Sequence, residues 1–338
     1  MSLVKEVVDY SLVISTCNPD ERLLKSCLDA VYNLDTTGIT TEVILVDNNS
    51  AVPVSSLPYV KEFLKKVPPV KIIMVAAQGI RNARIAAIQE TKGKYIVYFD
   101  YDNEPERDYL QELKKLNDQF PQVAALGPGE VSVNFIDGID KKIENYARVA
   151  FRERHDTAIR FSRLQEWQPC YPYDVGLCIS SALLKEYAGL ARQGRFTIPS
   201  VNGKQLTIGD DTQMVLHCVN EGYGAGVSPK LRLGHNIPEA RASYKYIQKH
   251  VFGTGLCYEN CMVQVFSEHK EKLSQEIISK SKFFRLTINK YLKTIFRPDP
   301  HNTFDLIQFM SLNAGAYLAL NKPVPTSIKR LINFLRLA

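Results

Sequence analysis

The sequence predicts an α/β protein, a mostly parallel central sheet with helices on both faces, followed by a helical C-terminal region. Three observations carry this. Over the first 125 residues, short runs of β-branched and aromatic residues alternate with amphipathic stretches of helical length. The strongest run, Tyr95-Ile-Val-Tyr-Phe, leads straight into Asp100 and Asp102, and the carboxyl ends of strands are where open α/β sheets collect ligands. Beyond about residue 240 the pattern is helical, interrupted around Pro298–Asp299–Pro300 and Pro323–Val324–Pro325.

Taken in order, residues 10–15 read as the first strand and 20–34 as a helix, with Pro19 and Asp20 as its start signals. Residues 42–47 form the second strand, and a Pro-rich loop leads to a helix at 58–66. The third strand is 70–75, and a helix at 81–91 is stopped by Gly93. The strand at 95–100 precedes a helix at 106–117 and a strand at 123–127. Residues 151–168 are an amphipathic helix or an irregular segment. A strand at 175–180 runs into a helix, and 191–208 is a loop holding Gly194 and Gly203. A helix at 212–221 stopped by Gly222 and a strand at 231–233 close the α/β part. The apolar run from Leu306 to Leu320 falls short of the roughly 18 residues a spanning helix needs and carries Gln308, Ser311 and Asn313, so it is expected to be a buried helix.

The apolar fraction of 45% and charged fraction of 23% are those of an ordinary globular protein. Seven cysteines without a C-x-x-C pair argue against a zinc site and for reduced thiols. With no signal-peptide core at the amino terminus, a cytoplasmic protein is expected. The net charge of +6 is uneven: from Arg241 onward 15 Lys and Arg face 6 Asp and Glu, which leaves the first 240 residues at −3. The segments beginning at Lys280 and Ser327 set Lys and Arg beside Phe, Leu and Ile at helical spacing. Such a surface either rests on an anionic bilayer or is a solvated face packed on its own domain. Nucleic acid is not expected, because no recognised binding motif accompanies the charge.

The strand ends carry acids in place of glycines. The first strand runs into Ser15-Thr16-Cys17-Asn18-Pro19, which lacks the glycine fingerprint of a dinucleotide-binding fold, and no P-loop is present. A sugar nucleotidyltransferase is disfavoured because it too would open with a Gly-rich loop. The second strand ends in Asp47-Asn48-Asn49-Ser50, where Asp47 either accepts from a nucleotide base or closes an Asx-turn. Asp100 and Asp102 either cap the following helix or form a hard-oxygen site for Mg²⁺ or Mn²⁺ with a diphosphate. Asp210 and Asp211 open a helix, as an N-cap or as a general base.

The order of these motifs resembles that of family 2 glycosyltransferases of the GT-A type, over roughly residues 10–241. Ser15-Thr16-Cys17-Asn18 stands where the family has a Pro-Thr-Tyr-Asn-like turn, and Val46-Asp47-Asn48-Asn49-Ser50 matches its Val-Asp-Asn-x-Ser. Ala83-Arg84-Ile85-Ala86-Ala87 keeps the arginine of the family's Ala-Arg-Asn-x-Gly but loses its Asn and Gly. The Asp-x-Asp strand ends in Asp100-Tyr101-Asp102, and Gly209-Asp210-Asp211-Thr212 corresponds to Gly-Glu-Asp-Thr with Asp for Glu. His235, Pro238 and Arg241 match a His-x-x-Pro-x-x-Arg segment common in bacterial members. The Gln-x-x-Arg-Trp signature of processive synthases is missing.

The resemblance implies an inverting, non-processive enzyme with a GT-A catalytic domain at 1–240 and a basic helical region at 241–338. Within the former, a nucleotide-sugar half would span about 1–125 and an acceptor half 126–240. It implies a nucleotide-sugar donor, with UDP the first choice, and a glycan or lipid-linked glycan acceptor. Thr16 and Asp47 would hold the base, Asp100 the ribose or metal shell, and Arg84 phosphate or sugar. Asp102 and His235 would bind a divalent Mn²⁺ or Mg²⁺, and Asp211 would be the base. Trp167 and Tyr173, with Asp210, are candidate acceptor contacts, the aromatics by stacking on a sugar face. The non-enzyme alternative is a degenerate nucleotide-sugar binder acting as a scaffold.

Overall fold

Seven successive buried residues make β1 (Tyr10–Thr16), a strand covered on both faces. The computed structural model describes residues 8–67, 69–198 and 209–337. Asp20 caps α1 (Glu21–Tyr32), its side chain accepting from the Arg22 amide at 3.0 Å, and Leu24, Cys27, Leu28 and Val31 turn inward. β2 (Thr41–Asp47), α2 (Pro58–Lys66), β3 (Val70–Met74), α3 (Ile80–Glu90) and β4 (Tyr95–Asp100) complete an alternating run in which β1 lies parallel to both β2 and β4, and β2 to β3. This register sets Thr16 opposite Asp47 and Ser15 opposite Asp100, so the three strands deliver their polar ends to one edge.

The chain continues through β5 (Asn103–Pro105), α4 (Tyr109–Gln119), β6 (Val123–Phe135), α5 (Glu144–Ala150), β7 (Arg154–His155) and β8 (Arg160–Ser162). Then come β9 (Cys178–Ser180), α6 (Ser181–Arg192), α7 (Asp210–Asn220) and β10 (Gly224–Ile237). The sheet order is β3-β2-β1-β4-β9-β6-β10-β5, with β7 on β6 and β8 on β10. β6 and β10 run parallel, whereas β9 is antiparallel to both its neighbours and β5 is antiparallel to β10. The sheet is thus mixed, parallel at its first strands and antiparallel where β9 enters.

Only Tyr101 and Asp102 separate β4 from β5, yet β5, paired with β10, stands four strand spacings from β4 in the order. Four spacings are about 19 Å in a flat sheet, well beyond the roughly 11 Å that the three steps from Asp100 to Asn103 can cover. The sheet therefore curls, and Asp102 lies in the crossing.

Several elements differ from expectation. The helix expected at 106–117 is α4, two to three residues later, because residues 103–105 pair as a strand. The strand expected at 231–233 extends over Gly224–Ile237, with a register shift between Ser228 and Arg232 that interrupts its alternation. Of the two readings of residues 151–168 the helix is absent: the segment is irregular and holds the short strands β7 and β8. In the expected loop at 191–208, residues 199–208, with Gly203, lie outside the described residues.

The chain divides into two units: one of residues 1–136, 151–190 and 217–238, which holds the sheet, and one of residues 137–150, 191–216 and 239–338. In the second, α8 (Glu239–Ala242), α9 (Tyr244–Val265), α10 (His269–Glu276), α11 (Lys280–Phe296), α12 (Pro300–Ala319) and α13 (Thr326–Phe334) form a helical assembly. α9 and α12 approach closely through glycines: a Cβ on Gly315 would lie 2.5 Å from the Leu256 carbonyl oxygen. Phe252, Leu256, Phe283, Met310, Tyr317 and Ile328 make its core. The run expected as a buried helix is α12. Among the described residues no helix is long and apolar enough to cross a membrane.

Candidate active site

The loops after β1, β2 and β3 are tied together by the polar residues of the strand-end motifs. Asp47 is buried, and its two carboxylate oxygens accept from the amides of Ser50 and Val54, each at 2.9 Å. This is the Asx-turn role, and each oxygen retains a second lone pair. Asn48 donates to the carbonyls of Val75 and Ala77 and accepts from the Gly79 amide at 2.7 Å, which fixes the loop before α3. Asn18 accepts from the Ala51 amide at 2.8 Å while its own amide donates to Ser50 Oγ at 2.9 Å. Beside these clamps the Thr16 hydroxyl is buried and, among the described residues, makes no hydrogen bond. An orphaned buried hydroxyl is costly unless a ligand completes it.

Arg84 is a buried arginine on α3, set among Ala83, Ala87 and Ile88. Its Nη2 lies 3.3 Å from Asp174 Oδ2 and 3.8 Å from Asp100 Oδ1, and its guanidinium sits over the Tyr98 ring. Burial pushes the Asp174 carboxyl up, but the Arg84 and Arg152 cations outweigh it and hold it below the usual carboxylate range. Arg152 has φ +68° and stacks its guanidinium 3.9 Å above the Tyr173 ring centroid. Tyr173 in turn packs on Trp167 at 5.3 Å, and Trp167 meets buried Tyr171 edge-on at 5.6 Å. Trp167 and Tyr173 thus belong to one aromatic cluster, joined by Arg152 and Asp174 to Arg84.

Asp102 and His235 are brought together by the β5–β10 pairing, which sets His235 opposite Asn103. Both are buried, with His235 Nε2 3.5 Å from Asp102 Oδ2. The rest of each side chain is held: Asn103 Nδ2 donates to Asp102 Oδ1 at 3.0 Å, and the Asn236 amide donates to the Asp102 carbonyl at 2.9 Å. His235 Nδ1 faces the Phe151 carbonyl at 2.9 Å. A carbonyl only accepts, so Nδ1 carries a proton and Nε2 is the nitrogen turned toward Asp102. In a neutral ring Nε2 has the lone pair a metal ligand requires, the backing that metal-bound histidines ordinarily show.

This donor set fits a divalent cation. Two cis ligands at about 2.1 Å from an octahedral ion sit about 3 Å apart, slightly closer than the Asp102–His235 separation. Sites of this kind use one or two protein ligands and complete their shell with phosphate oxygens and water.

Asp210 and Asp211 open α7 in the second unit, both buried in its first turn, where the helix dipole favours carboxylates. The Cys261 thiol, which donates to the Gly209 carbonyl at 3.3 Å, is pushed well up by burial, with Cys257, Asp211 and Asp210 adding to the effect. Elsewhere in the first unit Glu186, His217 and Glu221 offer ligand atoms within 4.8 Å of one another. The two carboxylates face opposite ring nitrogens of His217, each at 3.9 Å, which is an imidazole bracketed by acids rather than a cage around one ion.

Asp174, Arg152, Asn103 and the Phe151 carbonyl were not singled out by sequence. Arg152 has no local signal, since its positive φ is a property of the folded backbone. Asn103 directly follows the Asp-x-Asp motif, so its place in that turn is readable from the sequence.

A curled, mixed α/β sheet with acids at its strand ends and a helical C-terminal region is the architecture of the GT-A glycosyltransferases. Residues 11–167 match the model of the family described as glycosyl transferase family 2. Among solved structures, the mannosyltransferase PcManGT from Pyrobaculum calidifontis, in complex with GDP-Man and Mn²⁺, is similar at 16% identity and a TM-score of 0.52, over 92% of this chain and 86% of that one. TarS of S. aureus is similar at 14% identity and a TM-score of 0.50, over 97% of this chain and 53% of that one, so this chain spans about half of it. No curated protein sequence matches.

Proposed function

We propose that the chain is an inverting, metal-dependent glycosyltransferase that moves one sugar per binding event from a nucleotide-sugar to a hydroxyl of a glycan or lipid-linked glycan. The observation that carries this is the buried Asp102–His235 pair, held by Asn103, Asn236 and Phe151 at the end of β4, with Asp100 and Arg84 beside it. UDP is the expected nucleotide, and the similar mannosyltransferase bound to GDP-Man and Mn²⁺ makes GDP the second candidate.

Asp102 and His235 would hold Mn²⁺ or Mg²⁺, which when bound neutralises charge on the departing diphosphate. Thr16 completes its hydroxyl on the nucleotide base, and Asp47 uses its remaining lone pairs there. Asp100 contacts the ribose or the outer shell of the metal. Arg84 adds a planar donor fork for phosphate or sugar oxygens. Trp167 and Tyr173 offer ring faces to the acceptor, with Asp210 as a further polar contact. Asp211 takes the proton of the attacking hydroxyl, a step worth about 10²–10⁴-fold in rate. We assign residues 1–240 to catalysis and 241–338 to a basic helical extension.

The test is UDP release from a panel of UDP-sugars with Mn²⁺, wild type against Asp211→Asn. The expected result is turnover that falls by about 10²–10⁴-fold in the variant while UDP affinity is kept. Binding without turnover in both forms would instead identify a nucleotide-sugar scaffold.

A further inference from the structure

Helix α11 reads Lys-Ser-Lys-Phe-Phe-Arg-Leu-Thr-Ile-Asn-Lys-Tyr-Leu-Lys-Thr-Ile-Phe and contains no acid. Its inward side is set by Phe283 and Thr287, both buried, and by Lys290, which pairs with Asp305. Phe283 packs on Phe309 and Tyr317 of α12. Its outward side is divided. Phe284, Ile288, Leu292 and Ile295 follow spacings of four, four and three, so they form one stripe, and Phe296 adjoins it. Of these, Phe284, Leu292, Ile295 and Phe296 are between 41% and 77% exposed. Lys282, Arg285 and Lys293 line the flank of that stripe, within about 80° of one another around the helix.

Exposed large apolar residues are unremarkable singly, but three on one helical stripe with a fourth beside it call for a partner. The charge says which kind. Among the described residues no acidic side chain pairs with Lys280, Lys282, Arg285, Lys293 or Arg297. In a two-fold dimer this face would meet itself and set like charges against like. A bilayer bearing anionic headgroups satisfies both halves: the apolar stripe enters the headgroup–acyl boundary and the cations meet lipid phosphate and carboxylate.

We propose that the outward face of α11 is an interfacial membrane-docking surface selective for anionic lipid. The inference rests on α11 alone and stands apart from the transferase reading.

The test is co-sedimentation of the full chain with vesicles of phosphatidylcholine alone and of phosphatidylcholine with a quarter phosphatidylserine. Wild type is compared with Arg285→Gln/Lys293→Gln and with Leu292→Ser/Phe296→Ser, all at exposed positions. Wild type should bind the anionic vesicles preferentially and release them at high salt. Loss of two cations should weaken that binding about 25-fold, at roughly fivefold per charge. Loss of the two apolar groups should weaken it at least about tenfold. Equal binding to both vesicles, or variants that bind like wild type, would overturn the proposal. So would variants that split a dimer in sedimentation velocity while keeping vesicle binding, since the face would then belong to a second copy. Mn²⁺-dependent UDP binding, measured on the same variants without lipid, should be unchanged, which keeps this outcome separate from that of the transferase reading.

Discussion

Replacing Arg84 by Gln removes the cation that Asp174 and Asp100 share. At an effective dielectric of about 20, its bare attraction is about 5 kcal/mol to Asp174 at 3.3 Å and about 4 kcal/mol to Asp100 at 3.8 Å. Both carboxylates keep part of their side chains in water, 31% and 25%, and burying Arg84 itself costs desolvation. The net loss expected is therefore about 2–3 kcal/mol, below the full value for breaking a wholly buried pair. The loss has a pH signature. Arg84 and Arg152 outweigh the effect of burial and hold the Asp174 carboxyl below its ordinary value. Stability from a depressed carboxyl is present above the unfolded value of about 3.9 and is lost as pH falls through the folded one. Urea titration followed by Trp167, the single tryptophan, should show a lower midpoint for Arg84→Gln at pH 7 and a narrowing gap toward pH 3. Coincident midpoints at pH 7, or a gap that does not narrow in acid, would show that Arg84 does not hold these carboxylates ionised.

Other outcomes follow from single contacts. Gly176 has φ +68°, and a Cβ there would lie 2.6 Å from both Leu233 Cδ2 and the Tyr109 hydroxyl oxygen. Gly176→Ala should cost about 2–4 kcal/mol in the same urea titration, and a wild-type midpoint would contradict the crowding. His155 Nδ1 lies 2.7 Å from Glu130, which raises the imidazole above its ordinary value despite partial burial. Glu130→Gln should lower the His155 midpoint in an NMR titration. The stability that the pair adds should be present below about pH 6.5 and fade as pH rises through the raised folded value. An unmoved His155 midpoint would show that the contact does not form in solution.

The legible parts of the fold are those whose signal is local. β1, β2 and β4 are interior strands and read as largely apolar runs, and Asp20 marks the start of α1. β5, β7 and β8 have two or three residues each and exist only through distant partners, so no periodicity reveals them. β10 looked short because Ser228, Pro229 and Lys230 occupy its register shift. For the site, Asp102 and His235 could be named from motif order, but not what sets them: the His235–Asn103 register and the Phe151 carbonyl are long-range facts. Asp47 and Asn48 show the converse, since much of their hydrogen bonding goes to holding loops. Asp174 sits between Tyr173 and Val175 without a motif, and only the fold brings it to Arg84.

Under the proposed function, Asp102 and His235 hold the divalent cation through which a nucleoside diphosphate is bound. Calorimetric titration of UDP into wild type and Asp102→Asn, with Mn²⁺ and with chelator, tests it most directly. Wild type should bind UDP only with Mn²⁺, and Asp102→Asn should lose at least about 100-fold with its urea midpoint near that of wild type. Wild-type affinity that ignores Mn²⁺, or an Asp102→Asn variant that binds as wild type does, would contradict it.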